Sequence, residues 1–193
     1  MNTPAHLIFG ITAFGRADSG KVTLAAAAGA LIPDLSLYVL AGWHLIVLGT
    51  DPEIVFGQMY YSEEWQRIFR IDNSFVLWGI ALGLAAMLRS KVFIALSAAA
   101  LLHLLLDFPL HNDDARAHFW PVTNWKFISP VSYWDTRYYG HIVGPVEVAA
   151  VLGCCFVLWQ RYAHVPAMRV ATAAAALLQI SPVIVWMLFF GGV

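Results

Sequence analysis

The sequence predicts an all-α fold: a polytopic helical membrane protein with about five transmembrane helices and a short N-terminal helix or half-helix. Three observations predict it. Hydrophobic residues make up 60% of the 193 positions, against about 45–50% in soluble domains. Charged residues make up only 12%, about half the usual share. The apolar residues fall into long regions separated by short charged turns, and the mean hydropathy is +0.69. A disordered chain, a coiled coil and a disulfide-rich module are excluded. Lys and Arg number 11 against 12 Asp and Glu, with no basic run, which excludes a phosphate-neutralising nucleic-acid binder. One integral membrane domain, 1–193, fits this length.

The elements follow in order. Residues 3–15 are apolar but short, at best a half-helix. Residues 22–49 are apolar and interrupted by Pro33-Asp34. Residues 73–88 and 92–109 flank the turn Arg89-Ser90-Lys91. Residues 142–160 end at Arg161, and residues 170–190 close the chain. A span needs about 20 residues, with a range of ~17–25, and several regions reach that only by including an ionisable residue. Cys154 and Cys155 are adjacent in an apolar run, so they read as inert core residues rather than a framework.

Orientation comes from the short turns. Arg16/Lys21, Arg89/Lys91 and Arg161/Arg169 fall at alternate ends of the apolar regions, and we place them on the cytoplasmic side. The loops at 50–72 and 110–141 then lie outside, where Trp43, Trp65, Trp120, Trp125, Trp134 and several tyrosines suit an interfacial belt.

Counting from each turn brings ionisable residues to one depth. Asp34 is 13 residues after Lys21, His103 is 12 after Lys91, Glu147 is 14 before Arg161 and His6 is 10 before Arg16. In helices these separations are roughly 15–21 Å. Asp107 shares the face of His103, because i and i+4 align. Ionisable residues at such a depth usually face a bundle interior and mark function. Each has a plainer reading. Asp34 after Pro33 fits a helix cap at Leu35. His103 alone fits a hydrogen-bonded interior histidine. Glu147 fits a pairing with His141 or an outer arginine.

A second cluster lies in HNDDARAHFWP, residues 111–121. His111, Asp114 and His118 are spaced i, i+3, i+7, one helical face, and such residues can bind a metal ion. The competing readings are a solvated charged loop and a loop that folds over the intramembrane site and adds one ligand. Ser74, Ser132 and Ser181 lack a G-x-S-x-G setting. No P-loop, GxGxxG or CxxC occurs.

Four segments in order carry a family resemblance: PAHLIFG with His6, LIPDLSL with Asp34, FRIDNSF with Arg70 and Ser74, and LLHLLLDFPL followed by FWPVTNWKF with His103 and Asp107. Over residues 3–128 the chain resembles the bacterial family of inner-membrane-bound metal-dependent hydrolases. The resemblance implies a multi-pass protein of the bacterial inner membrane with metal ligands at His6, Asp34, His103 and Asp107. The chain departs from the family pattern at Ser36, Leu37, Phe69 and Asn73, where the family has acidic or histidine residues. Asn73 or Asp72 is a candidate replacement oxygen donor.

Two imidazoles and two carboxylates suit a divalent ion, Zn²⁺ first. Glu147 is the candidate general base, through a buried carboxyl, and Arg70 the candidate phosphate clamp. The depth of the site points to a lipid or lipid-linked, phosphate-containing substrate. Two other classes stay open. A small transporter or proton/cation path would use the same residues and the helix break at Pro33, and with so few segments it would need to form a homo-oligomer. A non-catalytic scaffold that has lost the family's chemistry would use the aromatic loop 119–139 to bind a partner.

Overall fold

A computed structural model describes residues 1–190, with side chains described as far as Gln179. The described residues form helices and loops, with no strand among them. The helices are α1 (Thr3–Phe14), α2 (Gly20–Gly42), α3 (Pro52–Gly57), α4 (Glu63–Asp72), α5 (Phe75–Met87), α6 (Lys91–Asp107), α7 (Gly140–Arg161) and α8 (Pro166–Phe190). A π-helical turn, Trp43–Val47, extends α2. Three of these stretches are long and apolar enough to cross a membrane: Gly20–Val47, Glu63–Met87 and Gly140–Arg161. Helix α6 has 17 residues, the lower limit of a span.

Local chemistry sets several boundaries. Ser62, Ser74 and Ser90 each accept a backbone N–H three residues on, satisfying a donor that the helix itself leaves unpaired. Asp51 does the same for Glu53 ahead of α3. Ser74 also donates to the Trp120 carbonyl, while Ser132 accepts the Trp134 and Asp135 amides. Both hydroxyls are structural. Ser181 lies outside the residues whose side chains are described.

Two sequence expectations are corrected. Pro33 does not break α2: the helix runs through it to Gly42, so Asp34 is mid-helix and caps nothing. A proline removes one helical N–H and crowds the preceding turn, yet the helix continues; the Pro33 carbonyl separately accepts from Asn73 Nδ2 at 3.0 Å. The segment 50–72 is not a bare loop but holds α3 and the amphipathic α4. Trp65 and Phe69 of α4 are buried with Ala41, Val55 and Tyr60, while Glu63 and Arg67 on its other face are exposed.

The helices that place the site are α1, α2 and α6. Their seam is built from small residues. Val22, Ala25, Ala26 and Ala30 of α2 pack with Ala95 and Ala99 of α6. A Cβ on Gly29 would lie 2.0 Å from the Leu96 carbonyl oxygen, and one on Gly10 would lie 2.7 Å from Ala30 Cβ. Small side chains are what let helix backbones approach this closely. A second core joins Ala5 and Ile8 of α1 to Val151, Cys155 and Leu158 of α7 and Ala175 of α8. Cys154 and Cys155 are both unbridged. The charged turns gather at one end: Arg161 Nη1 donates to the Thr12 carbonyl at 2.7 Å, and Tyr162 meets Thr23 at 2.8 Å.

Candidate metal centre

On each of the three packed helices the small-residue face turns polar one turn further along. Gly10 leads back to His6 on α1. Ala26 and Ala30 lead to Asp34 on α2, and Ala95 and Ala99 lead to His103 and Asp107 on α6. Steps of four residues keep one helix face, so the close contact at Gly10, Ala30 and Ala99 carries the four polar side chains to one level.

His6, His103 and Asp107 are all buried, and each offers a ligand atom within 4.8 Å of the others. The imidazoles of His6 and His103 stack with centroids 3.6 Å apart. His103 Nδ1 donates to the Ala30 carbonyl at 2.7 Å. That bond fixes the tautomer of a neutral ring and leaves Nε2 with its lone pair free. Among the described residues Nε2 is buried without a hydrogen-bond partner, 3.2 Å from Asp107 Oδ2 and 3.7 Å from Asp34 Oδ1. A lone pair facing two carboxylate oxygens calls for positive charge between them, either a proton or a cation. Asp107 Oδ1 accepts from His6 Nε2 at 2.9 Å and from the α-amino group of Met1. Asp34 Oδ2 accepts from Thr3 Oγ1, whose hydroxyl also meets Tyr38 at 2.8 Å. These buried donors fit a divalent ion.

The outer segment is irregular between α6 and Thr136, so His111, Asp114 and His118 do not share a helix face. Two of them still come together. His111 Nδ1 donates to Asp114 Oδ2 at 2.8 Å, and its Nε2 lies 3.3 Å from Asp107 Oδ2. Burial pushes the His111 imidazole down, but the carboxylates of Asp107 and Asp114 outweigh it and raise the pKa to about 9. His118 goes elsewhere. Its Nδ1 donates to the Asn73 carbonyl at 2.9 Å, its ring packs between Phe75 and Phe108, and burial lowers its pKa to about 4.

The remaining expected site residues separate from the cluster. Asn73 is spent on Pro33 and on Asp72 Oδ1 at 3.1 Å, so neither is placed as a replacement ligand. Arg70 pairs with Glu63 at 2.6 Å. Glu147 is buried on α7, where Oε1 accepts from Asn2 Nδ2 at 2.8 Å and from Gln179 rather than from His141 or an arginine. Its Oε2 has no hydrogen-bond partner among the described residues.

A cavity of about 320 Å³ opens beside the cluster, lined by Asp34, Asp107, His111, Asp114, Arg116 and Tyr133 among others. Arg116 was missed by sequence reasoning. Its one signal is the pair of flanking alanines, Ala115 and Ala117, both buried, which mark ARA as an inward-turned stretch of a charged loop. An all-helical protein with three helices apolar enough to span a membrane and a buried His/Asp cluster is the class that fold and site define. The chain matches no protein-family model, and comparisons with curated proteins and with solved structures give no match.

Proposed function

We propose that this chain is a multi-pass protein of the bacterial inner membrane. In this reading it is a divalent-metal-dependent hydrolase acting on a lipid or lipid-linked, phosphate-containing substrate. The membrane part rests on the outer surface of the long helices. Ile80 and Leu84 on α5, and Val146, Leu152 and Phe156 on α7, are all exposed. Apolar faces of this extent match lipid and not water. The five-span count of the sequence reading adds α6 and α8 to the three long helices.

The observation that carries the chemical part is the unpartnered Nε2 of His103 within a buried trio of ligand groups. His6, His103 and Asp107 would hold the ion, with Asp34 as the fourth donor. When bound, such an ion supplies Lewis-acid polarisation and a nucleophilic water at neutral pH. The chain's own residues do the rest. The Ala30 carbonyl orients the His103 ring, as outer partners of metal-binding histidines do. Thr3, itself bonded to Tyr38, holds Asp34 at the cavity wall with one carboxylate oxygen turned toward His103. His111 and Asp114 bring the outer loop over Asp107 and shield the cluster from water. Glu147 lies outside the cavity lining. Its hydrogen bonds to Asn2 position the start of α1, a role that fits it better than that of general base.

Elemental analysis of the protein purified in mild detergent tests this reading. About one metal per chain is expected, lost in His103→Ala. A metal-free wild type that also fails to load Zn²⁺ on reconstitution would overturn it and favour the scaffold.

A further inference from the structure

Among the described residues Arg116 is a buried cation without a matching anion. The residue is 7% exposed, and its Nη1 is buried with no hydrogen-bond partner among the described residues. Its guanidinium lies 4.2 Å over the ring of Phe69 and 5.3 Å over that of Tyr60. Those faces stabilise the charge and fix the plane of the fork. Asp34, Asp72 and Asp114 act on it through space, yet no carboxylate oxygen lies within 4.0 Å of it among the described residues. Burying an unpaired charge is costly. Arg116 lines the same cavity as Asp34, Asp107 and His111, beside the candidate metal centre.

That cavity has a neighbour of different character. A second cavity of about 650 Å³ lies along α7, lined by Gly144, Pro145, Val148, Ala149 and Leu152. The two share Asn2, Tyr133 and Trp134. A polar chamber thus passes into an apolar one across a wall of two aromatic rings and an amide. This is the partition of an amphiphile: an anionic head and a hydrocarbon chain. A guanidinium fork matches phosphate oxygens in pairs, and the apolar groove favours a chain over a free ion by about 0.8 kcal/mol per buried CH₂.

We infer that Arg116 binds the phosphate group of an alkyl or lipid phosphate whose hydrocarbon chain occupies the apolar cavity along α7. The inference deepens the hydrolase reading by naming the head-group residue and the tail site. It is tested by binding, separately from metal content and turnover.

The experiment uses the full chain in neutral detergent, with octyl phosphate and inorganic phosphate as probes, each in the presence and absence of a chelator. Calorimetry reads the affinity. Octyl phosphate is expected to bind more tightly than inorganic phosphate. Arg116→Met keeps the side-chain stem over Phe69 and should weaken both probes by about tenfold or more. Arg116→Lys should recover part of that loss. Ala149→Trp, which fills the apolar cavity, should remove the advantage of octyl phosphate and leave inorganic phosphate unchanged. Equal affinity of the wild type for both probes would overturn the tail site. Failure of the wild type to bind either probe would overturn the whole inference without appeal to any variant, as would unchanged binding in a folded Arg116→Met. Arg116-dependent binding in a protein that holds no metal would sink the hydrolase reading and sustain this one. A stoichiometric metal with binding indifferent to Arg116 would do the reverse.

Discussion

The helical seam of α1, α2 and α6 and the outer loop between α6 and α7 both supply charged side chains to one cavity, by different physical means. In the seam, helical periodicity does the positioning. Small residues at Gly10, Ala30 and Ala99 bring three backbones together, and the next turn of each helix presents His6, Asp34 and His103 at a common level. In the loop no period exists. His111, Asp114, Arg116 and His118 are placed one by one, by a carboxylate, by two aromatic faces and by a backbone carbonyl. The seam's geometry is therefore shared among many contacts, while each position in the loop depends on a few named bonds.

The largest way to break that contrast is Gly29→Ala. The added Cβ would sit 2.0 Å from the Leu96 carbonyl oxygen, a backbone atom that cannot rotate away. Helices α2 and α6 must separate, and we expect a loss of about 3 kcal/mol or more, read as a lower midpoint in detergent unfolding. Metal loading should fall with it, because Asp34 and His103 are carried by the same two helices. An unchanged midpoint would mean that the seam is loose and its convergence accidental.

Asp107→Asn comes next and separates the two regions by chemistry. Among the described residues Asp107 is the one carboxylate within 3.3 Å of three imidazoles, those of His6, His103 and His111. Chelator competition should show metal affinity down by more than about 100-fold. Asp114→Asn removes a carboxylate that reaches the cluster only through His111, and about a tenfold loss is expected. Equal losses would place the loop on a par with the seam in holding the ion.

This difference also explains what could be read from the sequence. His6, Asp34, His103 and Asp107 were legible because each lies a countable number of residues from a charged turn, and a helix converts that count into depth. The short α1 was legible as a short apolar run over residues 3–15. The spacing of His111, Asp114 and His118 misled, because a helical repeat means nothing in a segment that is not helical. Arg116 stayed hidden: only the rings of Phe69 and Tyr60, about fifty residues earlier in the chain, make it a buried cation. Glu147 was rightly placed as buried. Its partners, Asn2 and Gln179, carry no charge and lie on helices whose approach to α7 no spacing reveals.

A pH titration separates the loop from the seam at lower cost to the protein. Burial lowers the His118 pKa from 6.5 to about 4, so the folded protein keeps this ring neutral where the unfolded chain takes up a proton. The sign follows directly. His118 costs nothing above pH 7, and stability falls as pH drops below 6.5, by about 2 kcal/mol at pH 5. His118→Asn keeps an N–H donor for the Asn73 carbonyl but does not titrate. Its unfolding midpoint should therefore decline less than that of the wild type between pH 7 and pH 5. Parallel declines would show that His118 is not the group being protonated.

The smallest effect is expected at Arg70, and it sharpens the contrast between two arginines. Both stand close to α4. Arg70 belongs to it and pairs with Glu63 at 2.6 Å, its own side chain 17% exposed and that of the glutamate 57%. Arg116 comes from the loop and turns inward over Phe69 of the same helix. An exposed ion pair is screened by solvent and pays side-chain entropy to form, so it adds little to stability. Arg70→Ala should leave the unfolding midpoint, the metal content and the affinity for octyl phosphate unchanged within error. If instead Arg70→Ala abolished phosphate binding while Arg116→Met did not, the head group would lie at the exposed face of α4. The buried guanidinium would then be only a structural cation held by two aromatic rings. The two substitutions therefore decide between a rim arginine and a cavity arginine in a single binding assay, whether or not a metal is bound.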